Sequence, residues 1–217
     1  MTDTTFRSPN KRGKIAVFIS GRGSNFMALH DAIKKGDINA EITVVFSNKK
    51  NAPGLQIAQD RNLEILYLRP KNYESREDYD MAIVKELRTR DIDLICLAGY
   101  MRILTSEFCR EFKHRIINIH PALLPSFPGL HVQQKAIDWG VKFSGATVHF
   151  VIPDVDMGPI INQAVVPVLQ NDTDDTLSTR ILKEEHKIYP EAVRLYFEGR
   201  LEVRGRRVLI LDSLLKG

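Results

Sequence analysis

The chain has 217 residues, a formal net charge of +4 at pH 7, and 43% hydrophobic and 27% charged residues. This length suits one domain with ample material for a core, and the composition is that of an ordinary globular protein. The charge is too small and too dispersed to indicate a nucleic-acid partner, and the sequence contains no apolar run of about 18 or more residues that would predict a membrane span.

The amino-terminal residues 1–13 are polar and mix Ser, Pro, Asn and basic residues. They lack the apolar region of a secretory signal and predict a flexible tail, so residues 14–217 are expected to form a single domain. Cys96 and Cys109 lie in apolar surroundings and form no redox or zinc-binding pattern. We therefore expect buried free thiols in a reducing compartment, and a cytoplasmic protein.

Strand and helix patterns alternate along the first half of the chain. Apolar and β-branched runs predict strands at 14–20, 41–47, 64–68, 93–98 and 115–119. Helical spacing and end signals predict helices at 26–35, 53–61, 75–90 and 106–112. This alternation predicts an α/β fold with a doubly wound, mainly parallel twisted sheet and helices on both faces, similar to a Rossmann fold.

The pattern changes after His131. A helix up to Trp139 precedes two strands that are close in sequence, at 144–152 and 160–168. Strands joined this closely are expected to pair antiparallel and to form one edge of the sheet. A long helix at 174–197 follows, and strands at 201–203 and 207–211 around Gly205 predict a closing hairpin.

An Asn and a His stand at the end of the predicted strand 115–119. Asn118 and His120 are two residues apart, so their side chains point the same way from an extended chain. Pro121 and Pro125 prevent any regular continuation, and open α/β sheets bind ligands at such carboxyl ends of strands. A buried Asn and His can instead satisfy backbone groups, but the rigid loop favours a functional site.

A glycine-rich loop connects the first strand to the first helix. Gly21 and Gly23 allow close backbone approach to an anion, and the helix N-terminus presents N–H groups to it. Arg22, Ser24 and Asn25 add a positive charge, a hydroxyl and an amide. The loop is neither a dinucleotide-binding fingerprint nor a Walker loop. It favours phosphate binding, and the alternative is a tight turn capped by Ser24.

The loop between the two late strands contains two aspartates. Asp156 near His120 would hold the imidazole and favour its charged form, but Asp154 could do the same, and spacing alone leaves both open. Loop aspartates are most often turn formers. His149 on an apolar strand is interpreted as a hydrogen-bonded core histidine, whereas His131 either lines the site or starts a helix. No spacing predicts a metal site, and no Gly-x-Ser-x-Gly pattern predicts a serine nucleophile.

The Asn-x-His-Pro-x-Leu-Leu-Pro segment, the Ser-Gly-x-Gly-Ser-Asn loop and the downstream Asp together resemble the phosphoribosylglycinamide formyltransferase family. The similarity covers about residues 14–203 and includes 97–104 and 185–190. The Asn/His/Leu-Leu-Pro core is shared with the wider formyltransferase and hydrolase superfamily. The glycine loop and the Glu-Glu-His-Lys-Ile-Tyr-Pro segment narrow the resemblance to the phosphoribosylglycinamide formyltransferases. The resemblance implies a formyltransferase-like fold. It also implies a reaction of de novo purine biosynthesis in which the co-substrate 10-formyltetrahydrofolate gives its formyl group to the amine of 5-phosphoribosylglycinamide. No metal is expected.

The resemblance also implies roles for individual residues. Asn118 and protonated His120 would stabilise charge on the formyl oxygen, while Asp156 would keep His120 charged and accept a proton from the amine, directly or through a water. The substrate's phosphate and ribose would contact Gly23, Ser24, Asn25 and Glu185. The folate would contact Arg76, Met101, Arg102, Ile103, Leu104, Ile152 and Asp154. Met157 departs from the small residue usual at its position, which affects the expected shape of the folate loop.

Three alternatives remain. Formyltetrahydrofolate hydrolase shares the core but carries an N-terminal regulatory domain, and methionyl-tRNA formyltransferase carries a further C-terminal domain for RNA. Both are disfavoured because little sequence flanks the predicted domain. A non-catalytic folate- or nucleotide-binding protein would not need Asn118, His120 and Asp156 together.

We expect a monomer or homodimer that binds small-molecule substrates, with no nucleic-acid or membrane partner.

Overall fold

The computed structural model describes residues 12–212, so most of the predicted tail, residues 1–11, lies outside the described range. The tail was expected to reach residue 13, but Gly13 already begins the first strand, and its N–H donates to the Asn39 carbonyl at 3.0 Å. Within the described residues no helix is long and apolar enough to cross a membrane.

The described chain forms one sheet of nine strands flanked by helices. The strands are β1 (Gly13–Ile19), β2 (Ala40–Ser47), β3 (Ile65–Tyr67), β4 (Leu94–Leu97), β5 (Ile116–His120), β6 (Phe143–Phe150), β7 (Ile160–Pro167), β8 (Leu201–Arg204) and β9 (Arg207–Ile210). The helices are α1 (Ser24–Lys35), α2 (Pro53–Asp60), α3 (Arg76–Thr89), α4 (Ser106–Glu111), α5 (Val132–Asp138) and α6 (Asp174–Phe197). A short 3-10 turn, Pro70–Asn72, is an element that the sequence patterns did not predict.

The sheet order is β3-β2-β1-β4-β5-β6-β7-β9-β8. Strands β1 to β5 pair in parallel, whereas β6 pairs antiparallel with both β5 and β7. The antiparallel hairpin of β8 and β9 joins β7 through a single residue pair, Ile160 with Arg207. The predicted doubly wound, mainly parallel sheet with an antiparallel edge is therefore confirmed, and its strand order reverses between β1 and β4, where such folds bind ligands.

The side chains of β1 alternate between two hydrophobic cores, one on each face of the sheet. Ile15, Val17 and Ile19 pack into the core on the α1 and α6 side, while Ala16 and Phe18 pack into the core on the α3 and α4 side. A strand buried on both faces has no polar side, which is why its sequence reads as a continuous apolar run. Cys96 and Cys109 are buried and free, as predicted.

Helix α6 is fixed to the centre of the sheet by a buried tyrosine. The Tyr189 hydroxyl lies 2.9 Å from the Leu97 carbonyl of β4 and 3.1 Å from the Ile117 carbonyl of β5. Glu185 lies one helical turn before Tyr189 and is 6% exposed. The contact thus sets the position of Glu185 relative to the carboxyl ends of two parallel strands.

Candidate active site

Asn118 and His120 lie at the carboxyl end of β5, beside the antiparallel strand β6. Asn118 is paired in register with His149, and His120 with Thr147. Residues directly opposite each other on neighbouring strands share one face of the sheet, so these four polar side chains lie on the same side. His120 is 4% exposed and His149 is 2% exposed. The Asn118 Nδ2 atom lies 3.3 Å from His149 Nε2.

Asp156, rather than Asp154, faces these histidines. Its Oδ2 atom lies 3.4 Å from His120 Nδ1, and its Oδ1 atom lies 3.7 Å from His149 Nε2. The Gly129 N–H donates to Oδ2 at 2.8 Å. Asp156 has a φ of 55°, a left-handed conformation that is unusual for a residue other than glycine, whereas Asp154 is exposed. We define Asn118, His120, His149 and Asp156 as the catalytic cluster.

The hydrogen bonds of His149 determine its tautomer and the orientation of Asn118. The Nδ1 atom lies 3.0 Å from the Phe150 carbonyl, so it must carry the proton. Burial lowers the pKa of His149, which keeps the ring neutral and leaves Nε2 to accept an amide hydrogen from Asn118. The interpretation of His149 as a core histidine was correct in its burial and hydrogen bonding, but its contacts place it within the cluster.

Both ring nitrogens of His120 face acceptors. Nε2 lies 2.9 Å from the Phe127 carbonyl, and Nδ1 faces the Asp156 carboxylate. Each of these acceptors is best satisfied by an N–H group, an arrangement that suits the doubly protonated ring. His131, by contrast, stands at the N-terminus of α5 with an exposed side chain, so it starts the helix.

The turn that carries Asp156 leaves no room for a side chain at Gly158. A Cβ atom added there would lie 1.7 Å from the Phe150 carbonyl oxygen. The same turn is closed by the Phe150 N–H, which donates to the Pro159 carbonyl at 2.9 Å. The close backbone approach at Gly158 therefore fixes the path by which the chain brings Asp156 to the cluster.

The glycine loop after β1 begins helix α1 without a side-chain cap. Gly23 is the N-cap residue with a φ of 76°, and Ser24 is the first helical residue, so the alternative in which Ser24 caps the turn is wrong. The N–H groups of a helix N-terminus that lacks a side-chain cap suit an anion. The loop also lies against α2, where the Gly54 N–H donates to the Gly21 carbonyl at 3.1 Å.

Asn25 and Glu185 meet although they are far apart in sequence. The Asn25 Nδ2 group donates to Glu185 Oε2 at 2.8 Å, and both side chains are buried. Burial raises the pKa of Glu185, and the hydrogen bond from Asn25 opposes this rise. The buried Asn25 Oδ1 atom has no hydrogen-bond partner within the described residues. The structure therefore brings the predicted phosphate loop and the predicted ribose ligand together.

The predicted folate residues lie on two loops and at the start of one helix. Met101 and Ile103 are 59% and 53% exposed, whereas Leu104 is buried. The Arg102 guanidinium lies over the Tyr79 ring, 4.9 Å from its centroid, and Arg76 is exposed at the start of α3. Ile152 and Asp154 are in the loop after β6. Because Leu97 is in register with Asn118, the 101–104 segment leaves the sheet beside the catalytic cluster.

Within residues 12–212, no group of three or more His, Cys, Asp or Glu side chains is arranged to hold a metal ion.

Residues 13–193 match the formyl transferase family. The phosphoribosylglycinamide formyltransferase of Escherichia coli (strain K12) is 41% identical over 189 residues, which are 87% of this chain and 89% of that one. The trifunctional purine biosynthetic protein adenosine-3 of Drosophila melanogaster is 47% identical over 87% of this chain. The chain spans only 14% of the length of that trifunctional relative.

Solved structures show the same similarity. Glycinamide ribonucleotide transformylase 1 from Symbiobacterium toebii superposes with a TM-score of 0.92 at 48% identity, over 96% of this chain and 97% of that one. A formyltetrahydrofolate deformylase from Pseudomonas syringae superposes with a TM-score of 0.87 at 26% identity, over 94% of this chain and 67% of that one. The identity is therefore higher to the transformylase than to the deformylase.

Proposed function

Because the chain belongs to the formyl transferase family, we propose that it transfers the formyl group of 10-formyltetrahydrofolate to the amine of 5-phosphoribosylglycinamide, a step of purine biosynthesis. Similarity over 87% of this chain to the Escherichia coli enzyme and over 96% to the Symbiobacterium toebii transformylase supports this acceptor. The observation that carries the proposal is the Asp156 carboxylate, 3.4 Å from His120 Nδ1, in a cluster that also contains the amide of Asn118.

The reaction requires charge stabilisation and one net proton transfer. The neutral glycinamide amine attacks the formyl carbon, and the formyl oxygen becomes negative in the tetrahedral intermediate. Collapse breaks the bond to the folate N10, which leaves with a proton while the amine loses one. Asn118 has a second amide hydrogen beyond the one directed at His149, and that hydrogen is available to the developing oxyanion. Asp156 accepts the proton from the amine, directly or through a water.

His120 contributes the second donor by exchanging a hydrogen bond. Without ligand its Nε2–H is directed at the Phe127 carbonyl. A formyl oxygen that becomes negative is a stronger acceptor than a neutral carbonyl, so the Nε2–H moves to it as the transition state forms. Asp156 on the Nδ1 side is the anionic partner of the protonated ring. The donation is thus stronger in the transition state than in the ground state, as catalysis requires.

The remaining residues bind the two substrates. The phosphate is held at the N-terminus of α1 by Gly23, Ser24 and Asn25, and Glu185 accepts hydrogen bonds from the ribose hydroxyls. The folate ring lies along Met101, Ile103 and Leu104 and the loop with Ile152 and Asp154. Arg76 and Arg102 bind the carboxylates of its glutamate tail.

One assay separates this function from its alternatives. Purified protein is incubated with 10-formyltetrahydrofolate, with and without 5-phosphoribosylglycinamide, and both the formylated product and free formate are measured. Formyl transfer that depends on the amine is expected. Formate release without the amine would indicate a hydrolase, and no turnover with intact binding would indicate a non-catalytic binding protein. The His120→Ala variant is expected to bind both ligands but to lose turnover, and near-normal activity would contradict the mechanism.

We also propose a cytoplasmic location, which the two buried free cysteines support. A monomeric or homodimeric state remains a prediction that size-exclusion chromatography with light scattering would test.

A further inference from the structure

The 101–104 segment has no regular secondary structure, yet both of its ends are held by buried polar side chains. At the first end, Ser20 Oγ accepts a hydrogen bond from the Met101 N–H at 2.9 Å. At the second end, the Thr105 N–H, the next after the segment, donates to Asp80 Oδ2 at 2.7 Å. Ser20 and Asp80 are 5% and 2% exposed. A loop held at both ends by buried groups has few alternative conformations.

The two anchors have different surroundings. Ser20 also donates to Asn48 Oδ1 at 2.6 Å, and its N–H donates to the Gly99 carbonyl at 3.0 Å, so it joins the loops after β1, β2 and β4. The phosphate loop follows directly after Ser20. Asp80 instead lies on α3 and contacts the other end of the segment, at Thr105. A change at Asp80 should therefore affect one substrate, whereas a change at Ser20 should affect both.

The two arginines assigned to the folate tail act on Asp80 through their charges. Burial raises the pKa of Asp80, and this rise is opposed by hydrogen bonds from Thr105 and by the positive charges of Arg102 and Arg76. Tyr79, the preceding residue on α3, carries the ring beneath the Arg102 guanidinium. The buried Arg102 Nε atom has no hydrogen-bond partner within the described residues, and the contact that the structure shows for this guanidinium is the one with the Tyr79 ring.

A buried carboxylate is costly, and an uncharged acceptor would suffice to hold the Thr105 N–H. The carboxylate at position 80 therefore suits the nearby arginines as well as the loop. We propose that Asp80 is a positioning residue that sets the 101–104 segment and Arg102 for the folate co-substrate. This inference rests on the proposed function, because it takes the folate contacts from there.

Two variants separate the two effects of Asp80. Asp80→Asn keeps an oxygen for the Thr105 N–H but removes the charge. KM for 10-formyltetrahydrofolate should therefore rise about 10-fold, while kcat and KM for 5-phosphoribosylglycinamide stay within about twofold of the wild-type values. Asp80→Ala removes both contacts, and the same KM should rise about 100-fold. Glu77→Gln, which removes an exposed carboxylate from the same helix, is the matched control and should leave all three constants unchanged.

A co-substrate without the glutamate tail, 10-formyltetrahydropteroate, sharpens the test. With this compound the Asp80→Asn variant should behave like the wild-type protein, because the arginines have no carboxylates to bind. The proposal would be overturned if the Asp80→Asn variant had an unchanged KM for the folate. It would also be overturned if kcat fell and the KM values for both substrates rose by the same factor.

The failure of the inference is distinguishable from the failure of the proposed function. If the wild-type protein does not formylate the glycinamide, the proposed function fails first. Calorimetric titration of wild type and Asp80→Asn with the folate then still decides the role of Asp80, since weaker binding in the variant supports it and equal binding overturns it. The Asn variant also preserves the test if Asp80→Ala does not fold.

Discussion

The catalytic cluster and the ligand-binding loops differ in how their polar groups are satisfied before any ligand binds. In the cluster, His120 and His149 each contact a backbone carbonyl, and Asp156 accepts from the Gly129 N–H and faces both rings. In the ligand-binding parts, Asn25 Oδ1 and Arg102 Nε have no partner within the described residues, and Met101 and Ile103 expose large apolar side chains.

This difference separates catalysis from recognition. In the proposed mechanism, the groups that stabilise charge in the transition state are already oriented by the protein, so little reorganisation is needed when the charge develops. Groups that recognise a substrate retain unused hydrogen-bonding capacity or apolar surface, which the ligand satisfies on binding. Substitutions in the first region should therefore change kcat, and substitutions in the second should change KM.

The largest expected effect is that of Asp156→Asn. The amide has nearly the same shape as the carboxylate, but it presents no negative charge to His120 and accepts no proton from the amine. We expect kcat to fall about 10³-fold, within the range typical for a lost acid–base group, while both ligands still bind. Single-turnover kinetics together with calorimetric titration would measure the two effects separately.

Asp154→Asn is the control for this substitution, because Asp154 is exposed on the same loop and has no contact with the histidines. It should leave kcat nearly unchanged and alter only KM for the folate. If the two variants lost kcat equally, the assignment of the acid–base role to Asp156 would be incorrect, and with it the separation between the two regions.

A smaller effect is expected for Ile103→Ser in the second region. The side chain is 53% exposed without ligand, so its loss should not affect folding, but the folate ring would lose an apolar contact worth about 1–2 kcal/mol. We therefore expect KM for 10-formyltetrahydrofolate to rise about 10-fold at constant kcat. Steady-state kinetics with thermal unfolding as a folding control would measure this, and a fall in kcat alone would argue against the comparison.

The smallest effect is one of stability. Burial raises the pKa of Glu185 above its ordinary value of 4.5, so the folded state holds the proton to higher pH than the unfolded state. Stability is therefore lost as pH rises from 4.5 through the raised pKa. Glu185→Gln keeps an acceptor for Asn25 without the charge and should gain about 1 kcal/mol at neutral pH while losing affinity for the ribose hydroxyls.

Thermal unfolding at pH 7 and at pH 4 would measure this gain. The gain should shrink at the lower pH, where the carboxyl group is protonated in both states and its burial is no longer penalised. A variant that was less stable than wild type at pH 7 would show that the buried charge is fully compensated without ligand.

The sequence predicted the regular elements well because their signals are local. Every predicted strand and helix is found with ends within two residues, since continuous apolar runs, helical spacing and terminal glycines depend only on neighbouring residues. The prediction that strands 6 and 7 pair antiparallel is confirmed for the same reason, because their connection is short. The turn Pro70–Asn72 was missed, since a single 3-10 turn has no periodicity of its own.

Contacts between distant residues were harder to predict from the residues alone. The pairing of Asn25 with Glu185 depends on how α6 crosses the sheet, and no local pattern encodes it. The choice of Asp156 over Asp154 depends on a left-handed backbone conformation within one turn. His149 was not assigned to the cluster because its neighbours on the strand are apolar, and only the register with Asn118 shows its role. A sequence prediction that β5 and β6 pair antiparallel in this register would have placed His149 beside Asn118.

The contacts of Tyr189 have a consequence for motion. One hydroxyl lies between the carbonyls of Leu97 and Ile117, so the helix that carries Glu185 and the strands that lead to the 101–104 segment and to Asn118 form one rigid frame. Such a frame opposes hinge bending between the part that carries Glu185 and the part that carries Asn118. Under the proposed function, entry and release of the two substrates would then depend on displacements of the connecting loops.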